Sequence, residues 1–187
     1  MHSADSRFRK KIARTLLRIG ALALAIALGH SAALADQLPA GWQAENFTPI
    51  GFSGLGGHPG AFKLAIKHAA DGHWYLYMGH SFNEGWSILD VTDPRNPKYV
   101  KFIPFRGPDV LTAQVSLHGN IMITALNSAT PRPDMGATAL IWDISDPTNP
   151  KVLSKWYAGS RGSHRNSYPG GKYAYLAASV PGFRWYI

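Results

Sequence analysis

One eleven-residue stretch occurs twice in the chain, and this repeat constrains the fold more than any other feature. The sequence ILDVTDPRNPK at residues 88–98 returns as IWDISDPTNPK at residues 141–151, with a constant offset of 53 residues and no gap. Seven of the eleven positions are identical. A fixed offset with this fidelity indicates that the same supersecondary unit was built twice.

The composition of the repeated unit predicts two strands joined by a rigid turn. An apolar, β-branched run precedes each Asp-Pro-x-Asn-Pro segment, and a second apolar run follows it, as expected of strands. Pro94 and Pro147 fix φ near the value that the second position of a β-turn requires, and Asp93 can accept hydrogen bonds from nearby backbone N–H groups. The second proline of each segment prevents the turn from extending into a helix.

Composition and charge exclude several classes of protein. The 19 glycines and 13 prolines favour an all-β fold with many turns, and the absence of cysteine excludes disulfides and thiolate zinc sites. Residues 1–35 carry six basic residues and Asp5, a net charge of +5, whereas the rest carries 13 basic and 10 acidic residues, a net charge of +3. This remainder has no basic run suited to nucleic acid, so we expect no nucleic-acid partner.

Residues 1–35 have the three parts of a secretory signal peptide. A basic segment ends at Arg18, an apolar segment covers residues 19–28, and a small-x-small cleavage site ends at Ala35. The apolar segment is shorter than the roughly 20 residues that a membrane-spanning helix needs. We therefore expect export to the bacterial periplasm or beyond, with no membrane contact after cleavage. The alternative is an uncleaved N-terminal anchor.

The rest of the chain is predicted to be an irregular lead-in at residues 36–60 followed by strand modules at residues 61–187. Each module should contain four strands in sequence order, although the first segment, 61–68, could also be a short helix. The first module covers about residues 61–105, the second about 110–157, and the third starts at about 163 and is incomplete at 187. The predicted strands of the first module are 61–68, 73–78, 86–91 and 98–104.

Four-stranded antiparallel modules repeated every 40–50 residues or so are typical of β-propeller blades. The predicted fold class is therefore all-β: a partial β-propeller with about two and a half blades, preceded by a helical signal peptide. Because a propeller closes with about four to eight blades, we expect this chain to be part of a longer, C-terminally truncated propeller. The alternatives are a short curved stack of sheets and a dimer that completes the ring.

The repeat resembles that of a known family. The segments SILDVTDP at residues 87–94 and LIWDISDP at residues 140–147 are similar to the Leu-Val-Ile-Val-Asp (LVIVD) repeat, whose copies commonly continue as Asp-Pro-x-x-Pro. Residues 162–178 also resemble the segment between blades in a secreted bacterial branch of that family. The resemblance covers about residues 57–187. It implies an extracytoplasmic β-propeller, but it implies no reaction, because one fold hosts many functions.

Three histidines are predicted to lie on one face of the propeller, near its central channel. His58 precedes the first blade, His80 falls between its second and third strands, and His164 precedes the third blade. Neutral imidazole suits Zn, Cu or Fe, so the candidate cofactor is a divalent transition metal. The alternative is that these are loop histidines that hydrogen-bond the backbone or face water.

Three further residues of this channel face could bind an anionic or polar ligand: Gln114, Arg132 and Arg165. Arginine matches the geometry of carboxylate and phosphate groups, but it also commonly links strands. The paired aspartates of the repeat are assigned to turn capping and not to catalysis, because a residue that recurs in every module serves the module. The tryptophans in or beside strands indicate core positions, namely Trp74, Trp86, Trp142 and Trp185.

The chain contains no nucleophile elbow, phosphate-binding loop or dinucleotide fingerprint. The leading hypothesis is therefore an extracytoplasmic binding or scaffolding module for a protein or small-molecule ligand. The competing hypothesis is a metal-dependent enzyme, an oxidoreductase or a hydrolase, that uses the three histidines on the channel face. By itself, the chain should also expose an unpaired blade edge and tend to aggregate.

Overall fold

The computed structural model describes residues 40–41, 45–46, 48–81, 85–105, 110–128, 136–158, 161–178 and 184–186. The predicted signal peptide lies outside these residues, as does Arg132. The chain divides into two compact units, residues 1–34 and 35–187, and every described residue belongs to the second. In the described ranges, no helix is long and apolar enough to cross a membrane.

The described residues form strands and one short 3-10 helix at Leu55–Gly57, which confirms the all-β prediction. The strands make three antiparallel sheets, and in each sheet the strands pair in chain order. Sheet A consists of β1 Ala61–His68, β2 Trp74–His80, β3 Gly85–Asp90 and β4 Lys98–Pro104. Sheet B consists of β5 Val110–His118, β6 Ile121–Ser128, β7 Ala139–Asp143 and β8 Lys151–Trp156. Sheet C consists of β9 Ser163–Ser167, β10 Tyr175–Ala178 and β11 Arg184–Tyr186.

The sequence repeat builds the same local structure twice, as predicted. Asp90 pairs with Tyr75 on β2 and with Lys98 on β4, and Asp143 occupies the same place between β6 and β8. The strand pairs β3–β4 and β7–β8 each contain one register shift. It lies between residues 88 and 89 in the first pair and between residues 141 and 142 in the second, which are equivalent positions of the repeat. The repeat therefore specifies the irregularity of the sheet as well as its strands.

The aspartates cap the Asp-Pro turns, as predicted. In the first turn the backbone N–H of Asn96 donates to the carbonyl of Asp93 at 3.0 Å, and the N–H of Arg95 donates to the Asp93 carboxylate at 3.0 Å. In the second turn Asp146 accepts the equivalent bonds from the N–H groups of Asn149 and Thr148. These bonds satisfy backbone donors that a strand end would otherwise leave unpaired.

Sheets A and B pack face to face around two buried tryptophans. Trp86 and Trp142 lie edge to face, with ring centroids 5.3 Å apart, and they are 1% and 5% exposed. Tyr77 is fully buried beside them, and its hydroxyl donates to the carbonyl of Pro147 at 2.9 Å. This bond fastens sheet A to the Asp-Pro turn of sheet B. Burial and nearby phenolic and carboxylate groups raise the pKa of Tyr77, so the hydroxyl remains a donor.

Sheet C packs on the opposite face of sheet B through a smaller cluster. Ile123 and Ala139 of sheet B and Leu176 of sheet C form its buried centre. Two polar bonds cross the same interface: Asn166 Nδ2 donates to the Ile123 carbonyl at 2.9 Å, and the N–H of Tyr168 donates to a serine hydroxyl of β5 at 2.8 Å. Sheet B is therefore the middle layer of three.

The structure corrects two details of the sequence prediction. β2 extends to His80, beyond its predicted end at residue 78, because His80 stays paired with β1 and its ring is held inside the protein. Trp74 is 42% exposed and stacks on His68 with centroids 4.5 Å apart, so it covers the surface of sheet A and does not fill the core. The side chain of Trp185 lies outside the described residues.

The core between sheets A and B should carry most of the stability. Ile88 is fully buried there, whereas Leu153 on β8 is 57% exposed. We expect Ile88→Ala to lower the free energy of unfolding by about 2–5 kcal/mol, through lost burial and the cavity left behind. The matched change Leu153→Ala should cost less than about 1 kcal/mol. Urea unfolding followed by tryptophan fluorescence measures both, and equal losses would contradict the assigned core.

Candidate functional site

The candidate site lies where the first strands of the three sheets meet. β5 lies between β1 and β9 and contacts both of them. Lys63 on β1 reaches across to β9, where its Nζ donates to the carbonyl of Asn166 at 3.2 Å. The polar side chains at this meeting of strands are called the first-strand cluster: Lys63, Gln114, Arg165 and Asn166.

The two cations of the cluster lie on β1 and β9, and Lys63 donates to the carbonyl of the residue that follows Arg165. Burial lowers the pKa of Lys63, and the guanidinium of Arg165 lowers it further. In the part of the chain that the structure describes, the one ion pair joins His73 to Asp90 at 2.8 Å. Neither Lys63 nor Arg165 therefore has a carboxylate at ion-pair distance among these residues. The cluster carries positive charge that its described surroundings do not neutralise.

Gln114 is the buried polar member of the cluster. It is 3% exposed, and neither its Oε1 nor its Nε2 has a hydrogen-bond partner among the described residues. The side chain lies on the face of β5 that is turned towards sheet C, because Ser116 two residues later accepts the hydrogen bond from Tyr168. A buried amide without hydrogen-bond partners lowers the stability of the fold by about 1–3 kcal/mol, so a polar group that bonds to Gln114 would be stabilising.

Asn166 adds a second unsatisfied group to the same interface. Its Nδ2 donates to the carbonyl of Ile123, but its buried Oδ1 has no partner among the described residues. Gln114 pairs with Ala125 on β6, two residues along the strand from that carbonyl. Gln114 and Asn166 are thus held against the same stretch of β6. Together they offer the N–H groups of Gln114 and two buried acceptor oxygens at the interface between sheets B and C.

Lys67, on the same strand as Lys63, has more hydrogen-bond partners than Lys63. It is 7% exposed, its Nζ donates to the carbonyl of Gly119 at 2.9 Å, and it also donates to the side-chain oxygen of Asn120. Its pKa is lowered by burial, while Asp143 acts in the opposite direction. Lys63 has one carbonyl partner and a neighbouring cation instead. The contrast assigns a structural role to Lys67 and makes Lys63 a candidate for ligand contact.

The sequence prediction found part of this cluster. Gln114 and Arg165 were singled out as ligand-binding candidates, and the structure places them on the neighbouring strands β5 and β9. Lys63 and Asn166 were missed. Alternation along β1 could have identified Lys63, because polar residues at 63 and 67 oppose apolar residues at 62, 64 and 66. No sequence feature sets Asn166 apart from the other polar residues of β9.

The predicted metal ligands are brought together only in part. The rings of His58 and His80 lie edge to face with centroids 6.5 Å apart, and His58 stacks on Phe102 at 3.9 Å. His164 is exposed on β9, in a different sheet. In the described ranges, no group of three or more histidine, aspartate or glutamate side chains could hold a metal ion. The metal site stays a prediction that the described geometry does not support.

His80 has a clear structural role. It is fully buried, with its Nδ1 2.9 Å from the carbonyl of Pro59 and its Nε2 2.8 Å from the hydroxyl of Ser87. A carbonyl can only accept, so Nδ1 carries the proton and Nε2 accepts from the serine. Burial lowers the pKa of His80, which favours this neutral form. Both ring nitrogens are therefore committed to protein partners.

An apolar cleft of about 370 Å³ lies between sheets B and C. It is lined mainly by Ile123, Ile141, Trp156 and Leu176. Ligand pockets usually combine an apolar lining with a few convergent polar groups. The lining of this cleft has no such group apart from Ser154 and Lys155 at its β8 side. The first-strand cluster is therefore the stronger candidate site.

Comparison with known proteins yields no match: no protein-family model, no curated protein and no solved structure matches the chain. The resemblance to the LVIVD repeat accordingly remains a prediction from the residues quoted above.

The buried neutral state of His80 predicts a pH dependence of stability. Its pKa in the folded protein is lower than in the unfolded chain, so its contribution is complete above the ordinary histidine pKa of about 6.5. Stability should therefore fall as pH decreases from about 7 through the lowered pKa. We expect His80→Gln, which stays uncharged, to be less sensitive to pH over this range.

The exposed His164 provides the control, because His164→Gln should retain the pH dependence of the unchanged protein. Urea unfolding midpoints measured between pH 7 and 5 test the assignment. An unchanged pH dependence in His80→Gln would rule it out.

Proposed function

We propose that sheets A, B and C are successive blades of an LVIVD-type β-propeller, and that the protein is an extracytoplasmic binding module for a small anionic ligand. The sheets follow one another in chain order, and each packs face to face on the next. Their first strands are neighbours, as the innermost strands of blades are around a channel. The first-strand cluster would then lie at the channel wall.

The proposed location rests on the leader. Residues 1–35 have a basic segment, a short apolar segment and a small-x-small site, in the order that a secretory signal peptide requires. Export would place the sheets in the bacterial periplasm or outside the cell. The absence of cysteine means that folding there would need no oxidation step.

One observation carries the choice of ligand: the Nζ of Lys63 reaches the carbonyl of Asn166, the residue after Arg165, and neither cation has a carboxylate partner among the described residues. A ligand carboxylate or phosphate would neutralise both cations, and Arg165 could bind it through two parallel hydrogen bonds. Gln114, buried on the neighbouring strand β5, is a further candidate for a polar contact, since its N–H groups have no other described partner. The proposed ligand class is therefore a small carboxylate or phosphate compound.

Removing either cation should weaken anion binding. Charge-assisted hydrogen bonds contribute about 1.5–3 kcal/mol each, so Lys63→Met and Arg165→Gln should each lower the affinity for citrate or inorganic phosphate at least tenfold. Isothermal titration of the full chain measures the affinity. The exposed Lys98 and Arg95 provide matched controls, because Lys98→Met and Arg95→Gln remove the same charges elsewhere. Equal losses in all four variants would show general charge attraction and refute the site.

The lowered pKa of Lys63 predicts how binding responds to alkaline pH. The ammonium binds the anion, so affinity should fall as pH rises through a pKa that lies below the ordinary lysine value. In Lys63→Arg the cation persists, because guanidinium does not lose its proton in proteins. We therefore expect this variant to keep its affinity at alkaline pH. Isothermal titrations at pH 7 to 10 compare the anion affinity of the unchanged protein with that of Lys63→Arg. The same loss of affinity with pH in both proteins would contradict the role of Lys63.

The second candidate function is a metal-dependent enzyme, an oxidoreductase or a hydrolase, with a divalent transition metal at His58, His80 and His164. The proximity of His58 to His80 is the observation that favours it. In that case a metal would have to displace the hydroxyl of Ser87 from His80. Elemental analysis decides between the two functions. A stoichiometric metal that is lost when all three histidines are replaced by alanine would favour the enzyme.

A further inference from the structure

The repeat makes one face of sheet A equivalent to the face of sheet B that packs on sheet A. With the offset of 53 residues, Leu89 corresponds to Trp142. The strand registers extend the match, because Leu76 pairs with Leu89 just as Met122 pairs with Trp142. The environment of Trp142 in sheet B therefore shows what kind of group fits against the same position of sheet A.

In sheet B this face receives two aromatic side chains. Trp86 of sheet A lies edge to face against Trp142, with ring centroids 5.3 Å apart. Tyr77 of sheet A donates its hydroxyl hydrogen bond to the carbonyl of Pro147. Both rings belong to the buried core between the two sheets. The offset of the repeat places the corresponding region of sheet A beside Leu89 and Pro94.

Lead-in residues lie over that region of sheet A without filling it. They leave an apolar groove of about 400 Å³, bounded by Leu76, Leu89 and Pro94 on one side and by residues 50–55 on the other. Leu89 is 2% exposed, so the lead-in already shields this part of the sheet from water. The approach of the lead-in is close, because a side chain at Gly51 would collide with the carbonyl of Pro94. Both walls of the groove therefore come from described residues of this chain.

The lining of the groove suits an uncharged, apolar ligand. Among the described residues, no charged side chain lines it, and the hydroxyl of Ser53 is its polar side-chain group. That hydroxyl already accepts a hydrogen bond from the N–H of Leu55 at 3.2 Å. The volume lies within the range of about 300–1,000 Å³ that is usual for ligand pockets. Displacing water from such a lining favours an apolar ring over a polar or charged group.

We propose that this groove binds a small neutral aromatic compound of one or two rings, in the place that Trp86 and Tyr77 occupy in the contact between sheets A and B. Sheet A has the smaller Leu89 where sheet B has Trp142, and the lead-in supplies no ring equivalent to that of Trp86 at the floor of the groove. The proposal does not depend on the anion site, because no residue of the first-strand cluster is among the described residues that line the groove.

Binding of 5-fluoroindole to the full chain tests the proposal, because this compound carries the ring system of the Trp86 side chain. A titration followed by fluorine NMR should show saturable binding. Methyl NMR of the labelled protein should show cross-relaxation between the bound ring and the methyl groups of Leu76, Leu89 and Val91, which line the groove. The methyl groups of Ile123 and Leu176, in the cleft between sheets B and C, should show none.

Filling the groove from within should abolish the site. Leu89→Trp introduces the residue found at the equivalent position of sheet B, and its larger side chain should lower the affinity for 5-fluoroindole at least about tenfold. Leu153→Trp is the matched control, because it adds the same ring at a position that is 57% exposed on β8, and it should leave the affinity unchanged. Circular dichroism should show that both variants retain their strands.

Three results would overturn the proposal. They are the absence of saturable binding to the unchanged protein, an unchanged affinity in a folded Leu89→Trp variant, and cross-relaxation confined to the methyl groups of the cleft between sheets B and C. If Leu89→Trp does not fold, the methyl contacts in the unchanged protein still decide whether the ring lies in the groove.

Discussion

Sheet B must bury apolar side chains on both of its faces, and the positions of the other two sheets follow from that requirement. Met122 is covered on one side by sheet A, and Ile123, the next residue of β6, is covered on the other side by sheet C. Because successive residues of a strand point to opposite faces, a strand with large apolar residues on both faces needs two partner sheets. β6 has such residues on both faces and packs against both neighbouring sheets. β1 of sheet A carries its large apolar residues, Phe62, Leu64 and Ile66, on one face, where they are exposed.

Much of the fold could be predicted from the sequence because the repeat and its turns act over a short range. The repeat fixed the strands around Asp90 and Asp143 because a proline-locked turn leaves few ways to join two strands. Tertiary contacts decided the details that were missed. His80 stays in β2 since Pro59 and Ser87 hold its ring, and neither contact is local in the sequence. The predictions succeeded where short-range chemistry determines the structure.

The candidate site could be predicted less completely for the same reason. Gln114 and Arg165 are predicted from the sequence as polar residues of the central channel, but the significance of Lys63 depends on a contact with Asn166, 103 residues away. Alternation placed Lys63 on the inner side of β1. Only the packing of three first strands brings its ammonium to β9, at the residue that follows Arg165.

Close approach of sheets A and B brings their first strands together. At Gly79 a side chain would collide with the backbone of Thr112 and Ala113 on β5. Packing at this distance lets the Nζ of Lys63 reach the carbonyl of Asn166 on β9. It also buries Gln114, whose amide has no hydrogen-bond partner among the described residues. Because a buried amide without a partner costs free energy, a polar ligand at this place would stabilise the packing of the three first strands.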